Sequence, residues 1–307
     1  MIDEGNTIPF IARYRKEATG TLDDEQLRKL YERLTYLRNL EEKKEQVLAS
    51  IEEQGKLTEE LKAKIIAAQT LVVVEDLYRP YRPKRRTRAT MRRKGTGATG
   101  STDYLQKAKE PLEKLAEDYV NKEKGVETVK DALDGAKDIL AEAVSDEAAY
   151  RSWIRKRTMQ KGTLISTAKD EKQESVYEMY YEFEEALSKL AGHRILALNR
   201  GEKEKFLTVK VEAPQDDILR YLEKQIIRTD NPYTTPVLQE VAEDSYKRLI
   251  APAIEREIRS ELTEKAEDGA IEVFGKNLEQ LLMQPPITGR TVLGWDPAFR
   301  TGCNLQL

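Results

Sequence analysis

Apolar residues recur every three or four positions along the first eighty residues. One series covers 27–51, and this spacing places its side chains on one face of a helix. Thr21, followed by acids, is typical of a helix start, and Gly55 of a helix end. A second series covers 58–78, beginning at a Thr of the same capping type. Two long helices with a short joint predict an αα-hairpin.

Helical spacing returns beyond the Gly/Thr/Ser-rich link at 95–102. It predicts helices at about 103–119, 126–143, 146–161, 176–190, 215–226 and, as one long stretch, 235–283. Pro285 and Pro286 follow the last of these, and two consecutive prolines end a helix.

Two segments change to the pattern of β-structure. In 193–211 an apolar run, an Asn-Arg-Gly turn signal and an alternating run predict a β-hairpin. The segment 288–307 predicts a short apolar strand followed by a tight turn. The expected fold is therefore all-α: a multi-helix scaffold with one small β-hairpin and a short C-terminal strand.

Composition narrows the functional classes. The 307 residues carry 52 basic and 55 acidic side chains, a net charge of -3. Nucleic-acid-binding domains usually have a basic excess, so binding to a polyanion must be local here.

With one Cys and one His, a disulfide framework is impossible and a zinc site is disfavoured. No metal or cofactor is expected. The sequence has no run of about 18 apolar residues and no signal-peptide core, which favours a cytoplasmic protein without a membrane partner.

The window 79–94, RPYRPKRRTRATMRRK, holds nine Arg or Lys side chains and no acid. Pro80 and Pro83 prevent a regular helix through its first part, and Tyr81 could stack on a base. Guanidinium groups bind phosphates bidentately, so the window is a candidate nucleic-acid contact. The candidate residues are Arg79, Arg82, Lys84, Arg85, Arg86, Arg88, Arg92 and Arg93. The alternative is that these cations pair with the chain's own acidic helices, and the sequence leaves both interpretations open.

Other motifs favour structural roles. The G-x-G-x-x-G match at 95–100 lacks the preceding strand that phosphate binding requires, which favours a linker. His193 has no second ligand near it in sequence and is expected to be structural. A second basic cluster is expected to be a solvated helix face carrying Trp153; it comprises Arg151, Arg155, Lys156, Arg157 and Lys161.

Asp296 follows an apolar strand, as an acid does in RNase H-like nucleases, where several carboxylates hold two Mg²⁺ ions. One carboxylate cannot build that site. The segment around Asp296 is therefore expected to be a structural tail.

Four long segments together resemble the bacterial Tex family of transcription accessory proteins. They are IPFIARYRKEATGTLDDEQLRKLYERLTYLRNLEEKK, VVEDLYRPYRPKRRTRAT, EDSYKRLIAPAIEREIRSELTEKAEDGAIEVFGKNLEQLLMQPPI and VLGWDPAFRTGC. The resemblance spans nearly the whole chain. The family usually has Gly and Lys where this chain has Ala298 and Asn304, which weakens a catalytic role for Asp296 further.

The resemblance implies a helical region followed by an RNase H-like domain, helix-hairpin-helix motifs and an OB-fold RNA-binding domain. This chain would hold a first helical region ending in the basic loop (1–100), a central helical region (101–286) and the first strand of the RNase H-like domain (287–307). The remaining modules would lie beyond Leu307.

The function implied by the resemblance is that of a non-enzymatic transcription accessory factor fragment. The resemblance supplies the transcription assignment, with a contact to RNA polymerase or a transcription complex. The basic window supplies a local reason to expect that this fragment binds RNA or DNA, weakly and without sequence preference. Two alternatives stay open: a protein-interaction scaffold without nucleic-acid contact, and a remnant of a Mg²⁺-dependent nuclease.

Overall fold

A computed structural model describes residues 1–83, 108, 110–121, 126–285, 288–297 and 302–306. These residues form two compact units, each assembled from two stretches of chain. One unit is Met1–Thr163 with Glu212–Ile258, and the other is Leu164–Val211 with Arg259–Leu307. Helices predominate in the described residues, which confirms the all-α class. The division of the chain near residues 100 and 286 stays a prediction.

The helices are α1 (Ile8–Tyr14), α2 (Lys16–Thr19), α3 (Asp24–Glu53), α4 (Glu59–Ala67), α5 (Leu71–Tyr78), α6 (Leu112–Ala116), α7 (Val129–Asp146), α8 (Ala148–Lys161), α9 (Gly192–Lys203), α10 (Gln215–Ile226), α11 (Thr235–Asp244) and α12 (Ala251–Leu282). The strands are β1 (Thr163–Ala168), β2 (Glu182–Ala186), β3 (Leu207–Glu212), β4 (Gly294–Pro297) and β5 (Cys303–Gln306). Strands β1 to β3 form a sheet in the order β2-β1-β3.

The first long helix begins two residues later than its capping signal suggests. Asp23 is the cap: its carboxylate accepts the Gln26 backbone N–H, and the Gln26 side chain accepts the Asp23 N–H. This reciprocal pair satisfies two donors at the helix start. Thr21 instead adopts the left-handed conformation, with φ of 69°, in the turn that ends α2.

The predicted αα-hairpin is built from three helices rather than two. Leu40, Val47 and Ile51 of α3 pack against Ile65 and Val74. Between α4 and α5 the chain is extended, and the Thr70 hydroxyl caps α5 by accepting the Val73 N–H. The hydrophobic period continues through this break, so the period alone could not reveal it.

The β-hairpin predicted at 193–211 is wrong in its first half, which is the helix α9. Ile195, Leu198 and Gly201 lie buried on one face of that helix. A Cβ on Gly201 would lie 2.6 Å from the Leu207 side chain. The glycine therefore serves close packing within a helix, and not the turn that the Asn-Arg-Gly signal suggests.

The actual turn between α9 and β3 lies four residues later. Lys205 has a φ of 68°, and the Phe206 N–H donates to the Gly201 carbonyl. Only the second half of the predicted hairpin, Leu207–Glu212, is a strand.

The helix predicted at 176–190 is also wrong. This segment contains β2 between two short 3-10 turns. Its alternating exposed and half-buried residues suit the edge of a sheet, and the Ala168 N–H donates to the Tyr181 carbonyl. A true hairpin occurs instead near the C-terminus, where β4 pairs antiparallel with β5 and Gly294 lies opposite Gln306.

The remaining helix predictions are confirmed within the described residues. Residues 215–226 form α10, and the predictions at 126–143 and 146–161 correspond to α7 and α8. The long stretch at 235–283 forms α11 and α12 with a π-helical segment, Ser245–Ile250, between them. Of the helix predicted at 103–119, only α6 and a 3-10 turn after it fall in the described part.

Candidate nucleic-acid interface

The first residues of the basic window are fixed to the end of α3. After α5 the chain makes a 3-10 turn, Arg79–Tyr81. Tyr78 and Ser50 share a hydroxyl hydrogen bond of 2.9 Å, and the Gln54 side-chain amide donates to the Tyr81 carbonyl at 2.9 Å. The Tyr81 ring packs against the hydrophobic core of α3–α5, so it contributes to folding. The basic window thus starts from a rigid base.

Arg79 is a half-buried cation that makes no ion pair with any described carboxylate. Burial lowers the pKa of its guanidinium, and the like charge of Arg151 lowers it further, against the attraction of Asp76. An arginine nevertheless stays protonated. A bound anion would relieve both the desolvation of Arg79 and its repulsion from Arg151.

Arg82 is the second described cation of the window. Its side chain is exposed and makes no ion pair within the described residues. Its backbone N–H donates to the Tyr78 carbonyl at 3.0 Å, which fixes where the side chain leaves the turn. Arg79 and Arg82 are therefore two cations at the head of the basic window that make no ion pair among the described residues.

The other predicted contact residues lie outside the described part of the chain: Lys84, Arg85, Arg86, Arg88, Arg92 and Arg93. Their role in binding stays a prediction from the sequence. The same holds for the glycine motif at 95–100.

The second basic cluster, on α8, is held by the protein's own acids. Arg151 is fully buried; its Nε donates to Asp76 at 2.8 Å and its Nη2 to Glu257 at 2.8 Å. Arg155 joins the same two carboxylates at 2.9 and 2.6 Å. Burial alone would lower the pKa of Arg155, but the two carboxylates raise it above its ordinary value. The predicted solvated face is therefore wrong for these two arginines.

The next turn of α8 is joined to α10. Arg157 and Lys161 donate to one carboxylate oxygen of Asp217, at 3.0 Å from Arg157 Nε and 3.1 Å from Lys161. These bonds lower the pKa of Asp217. Trp153 stacks on Tyr221 with ring centroids 3.8 Å apart and planes 7° apart. Of the predicted cluster, only Lys156 is exposed without an ion pair among the described residues.

Sequence reasoning missed Asp76 and Glu257, although each carries a signal. Asp76 lies in the apolar run LVVVEDLY. Glu257 adjoins the stripe formed by Ile250, Ile254 and Ile258, all of which are buried. An acid at such a position needs a buried partner. The sequence does not say that this partner lies 75 or 106 residues away in α8.

The remaining candidates do not assemble a site in the described residues. His193 is exposed in the first turn of α9. Asp296 lies opposite Asn304 in the C-terminal hairpin. Across the described ranges, no group of three His, Cys, Asp or Glu could hold a metal ion. No helix in this part of the chain is long and apolar enough to cross a membrane.

Two models of one protein family match this chain. A family model described as "Tex central region-like" matches residues 106–274, and one described as "Tex-like protein N-terminal domain" matches residues 1–52. The first covers more than half of the 307 residues. The chain therefore belongs to the Tex family.

Three relatives show the range of similarity. An uncharacterized protein YdcI of Bacillus subtilis is 52% identical over all of this chain and 43% of its own length. The Neisseria gonorrhoeae protein named "Transcriptional accessory protein Tex" is 38% identical over 98% of this chain and 41% of its own length. The human "S1 RNA-binding domain-containing protein 1" is 32% identical over all of this chain and 32% of its own length. The chain thus spans less than half of these relatives.

Proposed function

We propose that this chain is a nucleic-acid-binding, non-enzymatic region of a transcription accessory protein that acts in the cytoplasm. The names of two relatives, one a transcriptional accessory protein and one an RNA-binding-domain protein, support the class. The observation that carries the proposal is the pair Arg79 and Arg82. Both lack an ion pair among the described residues, while the arginines of α8 are matched by carboxylates.

The binding would be electrostatic and independent of sequence. The guanidinium groups of Arg79 and Arg82 hold phosphates at the start of the window, and the cations that follow add further phosphate contacts. Such contacts release counterions, so affinity falls as salt rises. Contact with RNA polymerase would then place the bound strand within a transcription complex.

The test measures binding of the full chain to a fluorescent single-stranded RNA by anisotropy at low and moderate salt. Replacing Arg79 and Arg82 together by Gln is expected to weaken binding about tenfold, because two charge-assisted contacts are lost. The matched control replaces Lys62 and Lys156 by Gln. Both of these lysines are exposed and make no ion pair among the described residues, so the control removes the same charge.

Equal affinity of the two double variants would remove the role of Arg79 and Arg82. A companion variant, with Arg85, Arg86 and Arg88 changed to Ala, tests the rest of the window. If it also binds as the wild type does, the basic window is not the interface. Mg²⁺-dependent cleavage of the RNA that Asp296→Asn abolishes would overturn the non-enzymatic part of the proposal.

A second candidate function is a protein-interaction scaffold without direct nucleic-acid contact. The last turns of α12 favour it, because Ile271, Phe274 and Leu281 are 69%, 68% and 62% exposed. Large exposed apolar patches usually mark interaction sites. If a second copy of the chain covers this face, sedimentation would show a dimer that Phe274→Glu dissociates. A dimer of this kind, with no RNA binding at low salt, would favour the scaffold.

A further inference from the structure

The junction between α1 and α2 is an exposed basic and aromatic surface. Every residue from Arg13 to Ala18 is exposed. The segment Arg13-Tyr14-Arg15-Lys16 supplies three cations around a tyrosine that is 61% exposed. We call these four residues, together with Phe10, the α1 patch.

One face of α1 carries both aromatic rings. Phe10 and Tyr14 are one turn apart, with ring centroids separated by 5.4 Å and planes tilted by 45°. Arg13 lies three residues after Phe10 and so shares that face. Ile11 points to the other side and is 2% exposed. The helix therefore uses one side for packing and leaves the side with the rings and Arg13 in solvent.

Two of the three cations in this patch have no ion-pair partner among the described residues. Some exposed lysines on other helices do pair with an acid one turn away, for example Lys64 with Glu60 and Lys265 with Glu261. The sequence of α1, IPFIARY, contains no acid. In the patch, only Arg15 has an ion-pair partner among the described residues: Glu17, at 3.8 Å.

The backbone after Lys16 forms a tight turn. The N–H groups of Gly20 and Thr21 both donate to the Lys16 carbonyl. Gly20 has a φ of 65° and Thr21 a φ of 69°. A left-handed conformation is strained for a β-branched residue such as Thr21, and strain of this kind concentrates where function fixes the backbone.

We propose that the α1 patch is a second contact for single-stranded nucleic acid. In this arrangement a base stacks on Tyr14, and Arg13, Arg15 and Lys16 bind the flanking phosphates. Aromatic rings set among cations are the usual means of binding single strands without reading their sequence. The inference rests on the proposed function, to which it adds a position and a preference for unpaired bases.

The two contacts are fixed to different points of α3. Arg38 binds Asp3, just before α1, at 2.6 Å, and Gln54 binds the Tyr81 carbonyl at 2.9 Å. At 1.5 Å per residue these anchor points lie about 24 Å apart along the helix. A strand long enough to reach both contacts gains from their linkage, whereas a short strand occupies one at a time.

The test uses the full chain with fluorescent RNA and DNA single strands of the same sequence, and a duplex for comparison. Tyr14→Ala is expected to weaken binding of either single strand about tenfold through loss of one stacking contact. The slope of affinity against salt stays unchanged, and Tyr14→Phe binds as the wild type does. Tyr119→Ala is the control, since Tyr119 is another exposed tyrosine, at 47%.

The cations are tested separately. Replacing Arg13 and Lys16 by Gln is expected to reduce the salt slope by about 1.4, or 0.7 for each phosphate contact. A change in protein stability would not by itself change the slope of affinity against salt. A weaker effect on RNA than on DNA, or the reverse, tells which strand the patch prefers.

The possible failures are distinguishable. If Arg79 and Arg82 matter but the α1-patch variants bind as the wild type does, the inference is wrong and the proposed function stands. If the wild type binds no nucleic acid, both the proposed function and the inference about the α1 patch are wrong. A Tyr14→Ala variant that changes self-association but leaves RNA affinity intact assigns the patch to a protein contact and overturns the inference.

Discussion

Two arginine-rich segments of this chain look alike in sequence and differ in what surrounds them. On α8, Arg151 and Arg155 lie between Asp76 and Glu257. At the head of the basic window, Arg79 and Arg82 have no such partner among the described residues. The first pair holds helices together, and the second leaves positive charge available to a ligand.

The comparison teaches that arginine density does not identify a binding site. Asp76 lies only three residues before Arg79, yet it pairs with Arg151 and Arg155. The acid nearest in sequence is thus used by the more distant segment. Asp76 attracts Arg79 without forming an ion pair with it, and its two oxygens instead accept from Arg151 and Arg155.

The largest expected effect comes from breaking the α8 network at Asp76. Asp76→Asn leaves the fully buried Arg151, together with Arg155, facing the single carboxylate of Glu257. An uncompensated buried charge costs about 3 kcal/mol of unfolding free energy, which urea unfolding followed by circular dichroism would measure.

Glu60→Gln is the control for this change. Glu60 pairs with Lys64 on the surface, where both side chains are more than half exposed. Surface ion pairs contribute little to the free energy of unfolding. The unfolding midpoint of Glu60→Gln is therefore expected to match that of the wild type. Equal midpoints for Asp76→Asn and Glu60→Gln would mean that the α8 arginines do not have the structural role described above.

A smaller effect is expected when the charge is kept and the geometry is changed. Arg151→Lys preserves the cation but cannot reach Asp76 and Glu257 with separate nitrogens. We expect a loss of about 2 kcal/mol in unfolding free energy. Arg82→Lys, in the exposed position, is expected to leave stability unchanged. Equal stability of the two variants would contradict the difference between the segments.

The helical fold could be predicted because spacing and caps act locally. Residues 215–226 form the predicted helix, and Thr58 caps α4 as expected. The prediction failed at Asn199, whose side chain bonds Thr263 at 2.8 Å and does not form a turn. There, tertiary packing around Gly201 outweighs the local turn signal.

The candidate site could be predicted only in part. The sequence identified Arg79 and Arg82 as candidate contacts. Only the structure shows that no described carboxylate forms an ion pair with them. Asp76 and Glu257, which separate the two segments, are far from α8 in sequence and close to it in space. No local pattern encodes that pairing.

A third prediction tests whether α8 is held by packing as well as by charge. Trp153 stacks on Tyr221 of α10, and both rings are half-buried. Trp153→Ala is expected to cost about 1.5 kcal/mol of unfolding free energy, less than for a fully buried ring. Trp295→Ala is the control, because Trp295 is 66% exposed. A loss in both variants would show a general effect of removing indole rings.

The smallest expected effect concerns how the free energy of unfolding changes as the pH is lowered. Hydrogen bonds from Arg157 and then Lys161 lower the pKa of Asp217 from 3.8. A carboxyl whose pKa is lower in the folded state stabilises the fold above its unfolded pKa, and loses that contribution as pH falls through its folded pKa. Asp217→Asn is therefore expected to be slightly less stable than the wild type at pH 6, with a difference that narrows below about pH 4.

The control is Asp118→Asn, at an exposed aspartate with no ion pair among the described residues. Its stability is expected to equal that of the wild type at every pH. A difference for Asp217→Asn that persists unchanged at low pH would mean that Arg157 and Lys161 do not act through their charge. The contrast between α8 and the basic window would then rest on Arg151 and Arg155 alone.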